Sequence, residues 1–291
     1  MNLPLSGSDS PLDLHGSDWR EWVLSNLSRG CNPESLFRDM TKTTWRPVDA
    51  QRALLQAIGL NKSGSKFQLA PLPTLPETSS IKVGGREINI LSRSIRPQAA
   101  LVSGVLSAKE CAEMVAQARD KGLFEQDQSS GVVDPATGES IQSVARSSTS
   151  VHFKRGETSL AEKIEQRLSA LTNWPIDNGE GLQVLRYEPG QQYRPHFDWF
   201  DPKKTGSELH IRRGGQRVAT TIVFLTRPDA GGDTAFPKAG VQMAPLLGGA
   251  VFFRNLDALG QPDPYSLHAG SPVRAGEKIV LTYWQRERQF E

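Results

Sequence analysis

The apolar positions of this chain change their period along its length. From Asp18 to Leu60 they recur at helical spacing. Trp19, Trp22, Val23 and Leu27 share one face, and Gly30 stops that segment. Asn32-Pro33-Glu34 supplies an N-cap, a first-turn proline and a first-turn acid for a second helix. A third helix is predicted from Pro47 to Ile58, with Leu54, Leu55 and Ile58 inward and Gly59 as its stop. Residues 17–60 therefore read as a small helical domain whose tryptophan stripe belongs to its core. Residues 1–16 are polar and turn-rich and read as disordered. Residues 61–80, with Pro71, Pro73 and Pro76 among serines and threonines, read as an extended linker.

A second domain, residues 81–291, starts with helices and ends in strands. Ser107-Ala-Lys-Glu110 is a capping box opening a helix that carries Cys111, Met114, Val115 and Ala118 and ends at Gly122. A further helix is predicted over 158–172, with Leu160, Ile164, Leu168 and Leu171 on one face. After Gly181, short apolar runs alternate with glycine- and proline-rich turns. Val218–Leu225, Ala250–Phe253 and Ile279–Trp284 are the clearest strands. The fold class is α+β: a double-stranded β-helix, or jelly roll, with helices packed on one side. Glu125–Ser143 and Pro202–Gly215 read as long loops suited to closing over a substrate.

Composition narrows the functional classes. The formal charge is +2 over 291 residues, which gives no argument for nucleic acid or an anionic membrane as partner. Lys203, Lys204, Arg212 and Arg213 read as a solvated loop face. Two cysteines, Cys31 and Cys111, make no disulfide framework, and Cys111 reads as a small buried hydrophobe. No apolar run approaches the ~18 residues of a membrane span, and residues 1–16 lack the pattern of a signal peptide. A cytoplasmic enzyme is the expectation. Oligomeric state is not legible.

His196-Phe197-Asp198 carries the candidate chemistry. Residues i and i+2 of a strand face one way, so an imidazole and a carboxylate can meet at one point. With His268 they would form a two-histidine, one-carboxylate triad, the donor set of non-haem Fe(II) with positions left open. Lys278 follows ten residues after His268 and could aim an ammonium into the same cavity, where it would suit a dicarboxylate. His15, His152 and His210 match no metal pattern.

The segment Leu182–Asp198, with Gly215–Thr220, Gly231-Gly-Asp-Thr234-Ala-Phe-Pro237, Leu267–Val273, Gly276-Glu-Lys278 and Trp284, resembles the prolyl 4-hydroxylase family of 2-oxoglutarate/Fe(II) dioxygenases. The resemblance runs from about Leu101 to Arg286. It implies Fe(II) on His196, Asp198 and His268, and 2-oxoglutarate anchored by Lys278 with hydrogen bonds from Tyr187 and Thr234. It also places Glu180, Tyr193, Arg217 and Trp284 at the proline-containing substrate, and Arg146 in a further family-like stretch. Ser271 and Ile279 stand where the family often has Cys and Trp, and neither touches a proposed ligand.

The implied reaction is hydroxylation of a C–H bond coupled to oxidative decarboxylation of 2-oxoglutarate to succinate, consuming O2, with ascorbate as reductant. Asp198 favours hydroxylation, because related halogenases replace this acid with a small residue. Lysine rather than arginine at the anchor disfavours a nucleic-acid demethylase. The leading substrate is proline in a peptide or protein. Alternatives are a free amino acid or small metabolite, or a non-catalytic binding protein on a dioxygenase fold.

Overall fold

The computed structural model describes residues 10–60, 70–125, 131–133, 140–142 and 147–291. Two compact units emerge. One takes in the chain up to Pro71 plus Ala258–Gly260, and the other takes in Leu72–Asp257 and Gln261–Glu291.

The first unit holds α1 (Ser17–Ser28), α2 (Pro33–Thr41) and α3 (Pro47–Leu60). Asn32 caps α2 as expected, its side-chain oxygen accepting from the Glu34 amide at 2.8 Å. Val23, Leu27, Leu36, Met40, Trp45, Leu54 and Ile58 form the core, with Trp19 and Trp22 packed against it. Three expectations are corrected. The stretch read as disordered to residue 16 is ordered from Ser10, because Pro11–Asp13 form a 3-10 turn that buries Leu12. Gly59 does not stop α3, which continues through it to Leu60. Leu55 is half-buried rather than inward like its neighbours. Residues 1–9 and most of the proposed linker, 61–69, lie outside the described residues.

The second unit is a jelly roll. Its strands in chain order are β1 (Ser80–Val83), β2 (Arg86–Ser94), β3 (Ala99–Ser103), β4 (Gly131–Val133), β5 (Ser140–Gln142) and β6 (Thr149–Phe153). There follow β7 (Gly179–Tyr187), β8 (Tyr193–His196), β9 (Arg217–Phe224), β10 (Ala230–Gly231) and β11 (Thr234–Phe236). The last are β12 (Val241–Met243), β13 (Ala250–Arg254), β14 (His268–Gly270), β15 (Val273–Ala275) and β16 (Lys278–Arg286). The large sheet runs β1-β2-β3-β13-β9-β16-β7-β6, and the small one runs β12-β11-β14-β8.

Helices α4 (Ala108–Asp120) and α5 (Ser159–Thr172) pack on the large sheet. Their expected apolar faces lie in one core with Val184, Val223, Ile279 and Leu281. The capping box at Ser107 forms in both directions. Cys111 is buried, and that burial pushes its thiol up to about 11, so it packs as a small hydrophobe. Glu110 also accepts from Arg167 at 2.8 and 3.2 Å, which ties α4 to α5.

Both expected loops are corrected. Within 125–143, β4 and β5 pair as an antiparallel ribbon, and the rest of that stretch past Glu125 lies outside the described residues. Within 202–215, Thr205–Arg212 form helix α6, which buries its own Gly206 and Ser207. The basic side chains masked its short helical repeat.

Candidate active site

Two strands of the small sheet bring the triad together. β8 and β14 pair antiparallel with His196 directly opposite His268. Asp198 sits in the bend just past β8, so the expected His-x-Asp pair spans a strand end rather than a strand interior. β8 is an edge strand, where Pro195 costs no sheet hydrogen bond.

The three side chains offer ligand atoms that all lie within 4.8 Å of one another. His196 Nε2 is 3.6 Å from Asp198 Oδ1, and His268 Nε2 is 3.7 Å from Asp198 Oδ2. These gaps exceed a hydrogen bond and leave room for an ion between the groups. Each imidazole is held by its other nitrogen. His196 Nδ1 bonds the Arg194 carbonyl at 2.8 Å and His268 Nδ1 bonds the Ser266 carbonyl at 3.0 Å. A carbonyl only accepts, so Nδ1 carries the proton and the Nε2 lone pair faces the centre. Asp198 is oriented by Thr220 Oγ1, donating at 2.7 Å, and Trp284 Nε1, donating at 3.0 Å. Asn255 in turn donates to Thr220 at 2.9 Å. Burial alone would raise the Asp198 pKa, but His268, His196, Arg217 and the Thr220 hydrogen bond bring it down to about 2. The donor set fits a divalent metal, and its composition fits Fe(II).

A cavity faces the triad. Its floor is a grid of alternating residues from the large sheet. Lys278, Val280, Thr282 and Trp284 come from β16, and Gln183, Leu185 and Tyr187 from β7. Register places Lys278 beside Tyr187, Val280 beside Leu185 and Thr282 beside Gln183. The cavity thus has a cationic end, an apolar middle and an end formed by the triad. Such a sequence of surfaces matches a dicarboxylate whose oxo-acid end chelates a metal.

Lys278 is 4% exposed. Burial, only partly offset by Asp233, pulls its ammonium down to about 8. Its stem packs on the Gly231–Gly232 turn. Both glycines have positive φ, and a Cβ at Gly232 would come within 3.2 Å of Lys278 Cδ. Thr234 on β11 is buried and lines the same cavity.

Of the residues expected at substrate, Tyr193 stacks on His196, with ring centroids 3.5 Å apart. Trp284 reaches Asp198 as described. Glu180 and Arg217 form a two-bond ion pair at 2.7 and 2.8 Å. Arg217 lies over the Trp284 ring at 3.9 Å. Arg146 lies outside the described residues. Sequence reasoning assigned no role to Thr220, Gln183, Asn255 or Arg286. A polar residue on the inward face of an apolar strand was the available signal for Thr220.

Comparison with known proteins gives a consistent picture. The profile of the 2OG-Fe(II) oxygenase superfamily matches residues 182–286. Prolyl 4-hydroxylase 2 of Arabidopsis thaliana is 36% identical over 219 residues, covering 68% of this chain and 70% of that protein. Prolyl 4-hydroxylase 5 of the same plant is 34% identical over 252 residues, covering 79% and 83%. A viral collagen prolyl hydroxylase from Paramecium bursaria Chlorella virus 1, solved as a 2OG complex, superposes with a TM-score of 0.50 at 30% identity. That superposition covers 64% of this chain and 94% of the viral one.

Proposed function

This chain belongs to the prolyl 4-hydroxylase-like family of 2-oxoglutarate/Fe(II) oxygenases, and from that premise we propose that it hydroxylates proline within a peptide or protein. One observation carries the reading: a His-Asp-His triad and a buried lysine occupy opposite ends of one cavity. The prolyl 4-hydroxylases among its relatives support the choice of substrate.

His196, Asp198 and His268 would hold Fe(II), each presented by hydrogen bonds already in place. Bound Fe(II), with O2 and 2-oxoglutarate, supplies the oxidising chemistry: 2-oxoglutarate becomes succinate and CO2 while a substrate C–H becomes C–OH. Lys278 would pair with the distal carboxylate of 2-oxoglutarate in a charge-assisted hydrogen bond, assisted by Tyr187 and Thr234. Leu185, Ile222 and Val280 would cover the methylenes and keep water from the reacting end. Glu180, Tyr193, Arg217 and Trp284 would hold the peptide so that one proline C–H faces the metal. Ascorbate would act as reductant and the cytoplasm would be the setting. Among the described residues, no helix is long and apolar enough to cross a membrane.

The test measures succinate from purified protein with Fe(II), ascorbate and 2-oxoglutarate, against proline-rich peptides and free amino acids, with an Asp198→Ala control. The expected result is peptide-stimulated succinate, with one oxygen added to a proline, lost in the variant. Stimulation by a free amino acid alone would overturn the peptide assignment. No turnover by metal-loaded protein would overturn the enzyme reading.

A further inference from the structure

Arg286 ends β16 and is 1% exposed. Its Nη1 donates to Glu180 Oε1 at 2.7 Å, and its Nη2 donates to the His210 carbonyl at the end of α6. The same Glu180 carboxylate accepts from Arg217 Nε at 2.7 Å and from Arg217 Nη2 at 2.8 Å. One carboxylate therefore serves two guanidinium groups, and the trio carries net positive charge. The Arg217 guanidinium lies 3.9 Å from the Trp284 ring centroid and 5.0 Å from that of Phe200. Trp284 donates to the metal-site carboxylate Asp198 at 3.0 Å. Contacts thus run unbroken from Arg286 through Glu180, Arg217 and Trp284 to Asp198.

Glu180 does not need a second arginine for charge balance, since Arg217 alone neutralises it. Burying another guanidinium costs desolvation, and Arg286 Nε is buried with no hydrogen-bond partner among the described residues. An apolar side chain of similar volume would serve as well if the position only filled space. What Arg286 adds is geometry. It fixes the plane of the Glu180 carboxylate, which fixes the plane of Arg217 between two aromatic rings. Arg217 spends Nε and one Nη2 hydrogen on Glu180, so Nη1 is the nitrogen with both hydrogens left for another acceptor.

We propose that Arg286 is a positioning residue for peptide substrate, setting Arg217 so that its Nη1 meets a backbone carbonyl of the peptide. This rests on the peptide hydroxylase reading above. Arg286 also steadies the Trp284 indole on Asp198, and that part stands independently of substrate.

The test compares Arg286→Met and Arg286→Lys with the wild-type full chain. Arg286→Met is expected to raise the KM for peptide about ten- to hundredfold, the range for one charge-assisted hydrogen bond. The KM for 2-oxoglutarate stays unchanged, and Arg286→Lys recovers part of the loss. In metal-free protein, the Trp284 indole N–H resonance, assigned with Trp284→Phe, shifts and exchanges faster in Arg286→Met. A lowered melting temperature with peptide KM and indole resonance both unchanged would overturn the proposal and leave Arg286 a staple for α6. Should Arg286→Met fail to fold, Arg286→Lys carries the test, because a single ammonium cannot serve Glu180 and His210 as the fork does. If the wild type turns over no peptide, the hydroxylase reading fails, while the indole resonance still decides whether Arg286 holds Trp284.

Discussion

Lys278 is held in the cavity at a cost to the free protein, and Lys278→Met should expose that cost. The side chain is buried, and its pKa falls from an ordinary 10.5 to about 8. At about 1.4 kcal/mol per pH unit, the drop corresponds to about 3 kcal/mol lost in keeping the ammonium charged at neutral pH. Methionine has similar length, carries no charge and fits irregular apolar space. Lys278→Met is therefore expected to gain up to about 3 kcal/mol in the absence of 2-oxoglutarate. For a unit of this size that is roughly 6–12 °C in melting temperature. The gain also has a definite pH dependence. The unfolded lysine keeps its proton to about pH 10.5 and the folded one only to about pH 8. Between those values the unfolded chain binds more protons, so wild-type stability rises with pH. The advantage of the variant is full below pH 8 and vanishes above pH 10.5. Calorimetric melting from pH 7 to 10, together with titration of 2-oxoglutarate into Mn(II)-loaded protein, checks both halves. A variant that melts below wild type at pH 7, or one that still binds 2-oxoglutarate normally, would refute the reasoning.

Three further outcomes are expected. The apparent Kd for 2-oxoglutarate should stay flat below pH 8 and weaken about tenfold per pH unit above it, since the proposed pairing with the carboxylate needs the charged form of Lys278. Lys278→Arg should remove that slope in the same calorimetric titration, and an equal slope in the variant would assign it to another group. Thr220→Val removes the 2.7 Å hydrogen bond to Asp198 and should weaken metal binding about ten- to hundredfold, read by Mn(II) titration. Glu110→Gln leaves Arg167 buried without its carboxylate and should cost about 3–5 kcal/mol in urea unfolding, with both KM values unchanged. Glu110 in the folded protein titrates near 2 rather than 4.5: burial opposes ionisation, but Arg167, the Ser107 amide and Lys163 outweigh it. Its contribution is thus present above pH 4.5 and lost as pH falls through 2.

Much of this protein was legible in one dimension. The helices carry caps and 3.6-residue apolar stripes, so α2, α4 and α5 announce themselves through Asn32, Ser107-Glu110 and the leucines from Leu160 to Leu171. The strands β9, β13 and β16 are largely apolar runs, each entered within two residues of a glycine. The candidate site was legible because His196-x-Asp198, His268 and Lys278 sit in a distinctive order of short motifs. Less legible were strands such as β2, whose residues are mostly exposed and polar and whose Leu91 stands 53% exposed. Helix α6 was hidden because eight residues with a charged outer face give too short a repeat to separate from a loop.

Tertiary structure alone decided what each side chain meets. Pairing of β8 with β14 put His196 opposite His268, though 72 positions separate them in the chain (268 − 196 = 72). Pairing of β7 with β16 set Lys278 beside Tyr187 and made one end of the cavity cationic. The tilt of the Asp198 carboxylate depends on Thr220 and Trp284, and the burial that lowers the Lys278 pKa depends on the whole roll closing over it. Local sequence fixes residue type and period. Register, burial and electrostatic environment are properties of residues far apart in the chain, and they exist only once the two sheets face each other.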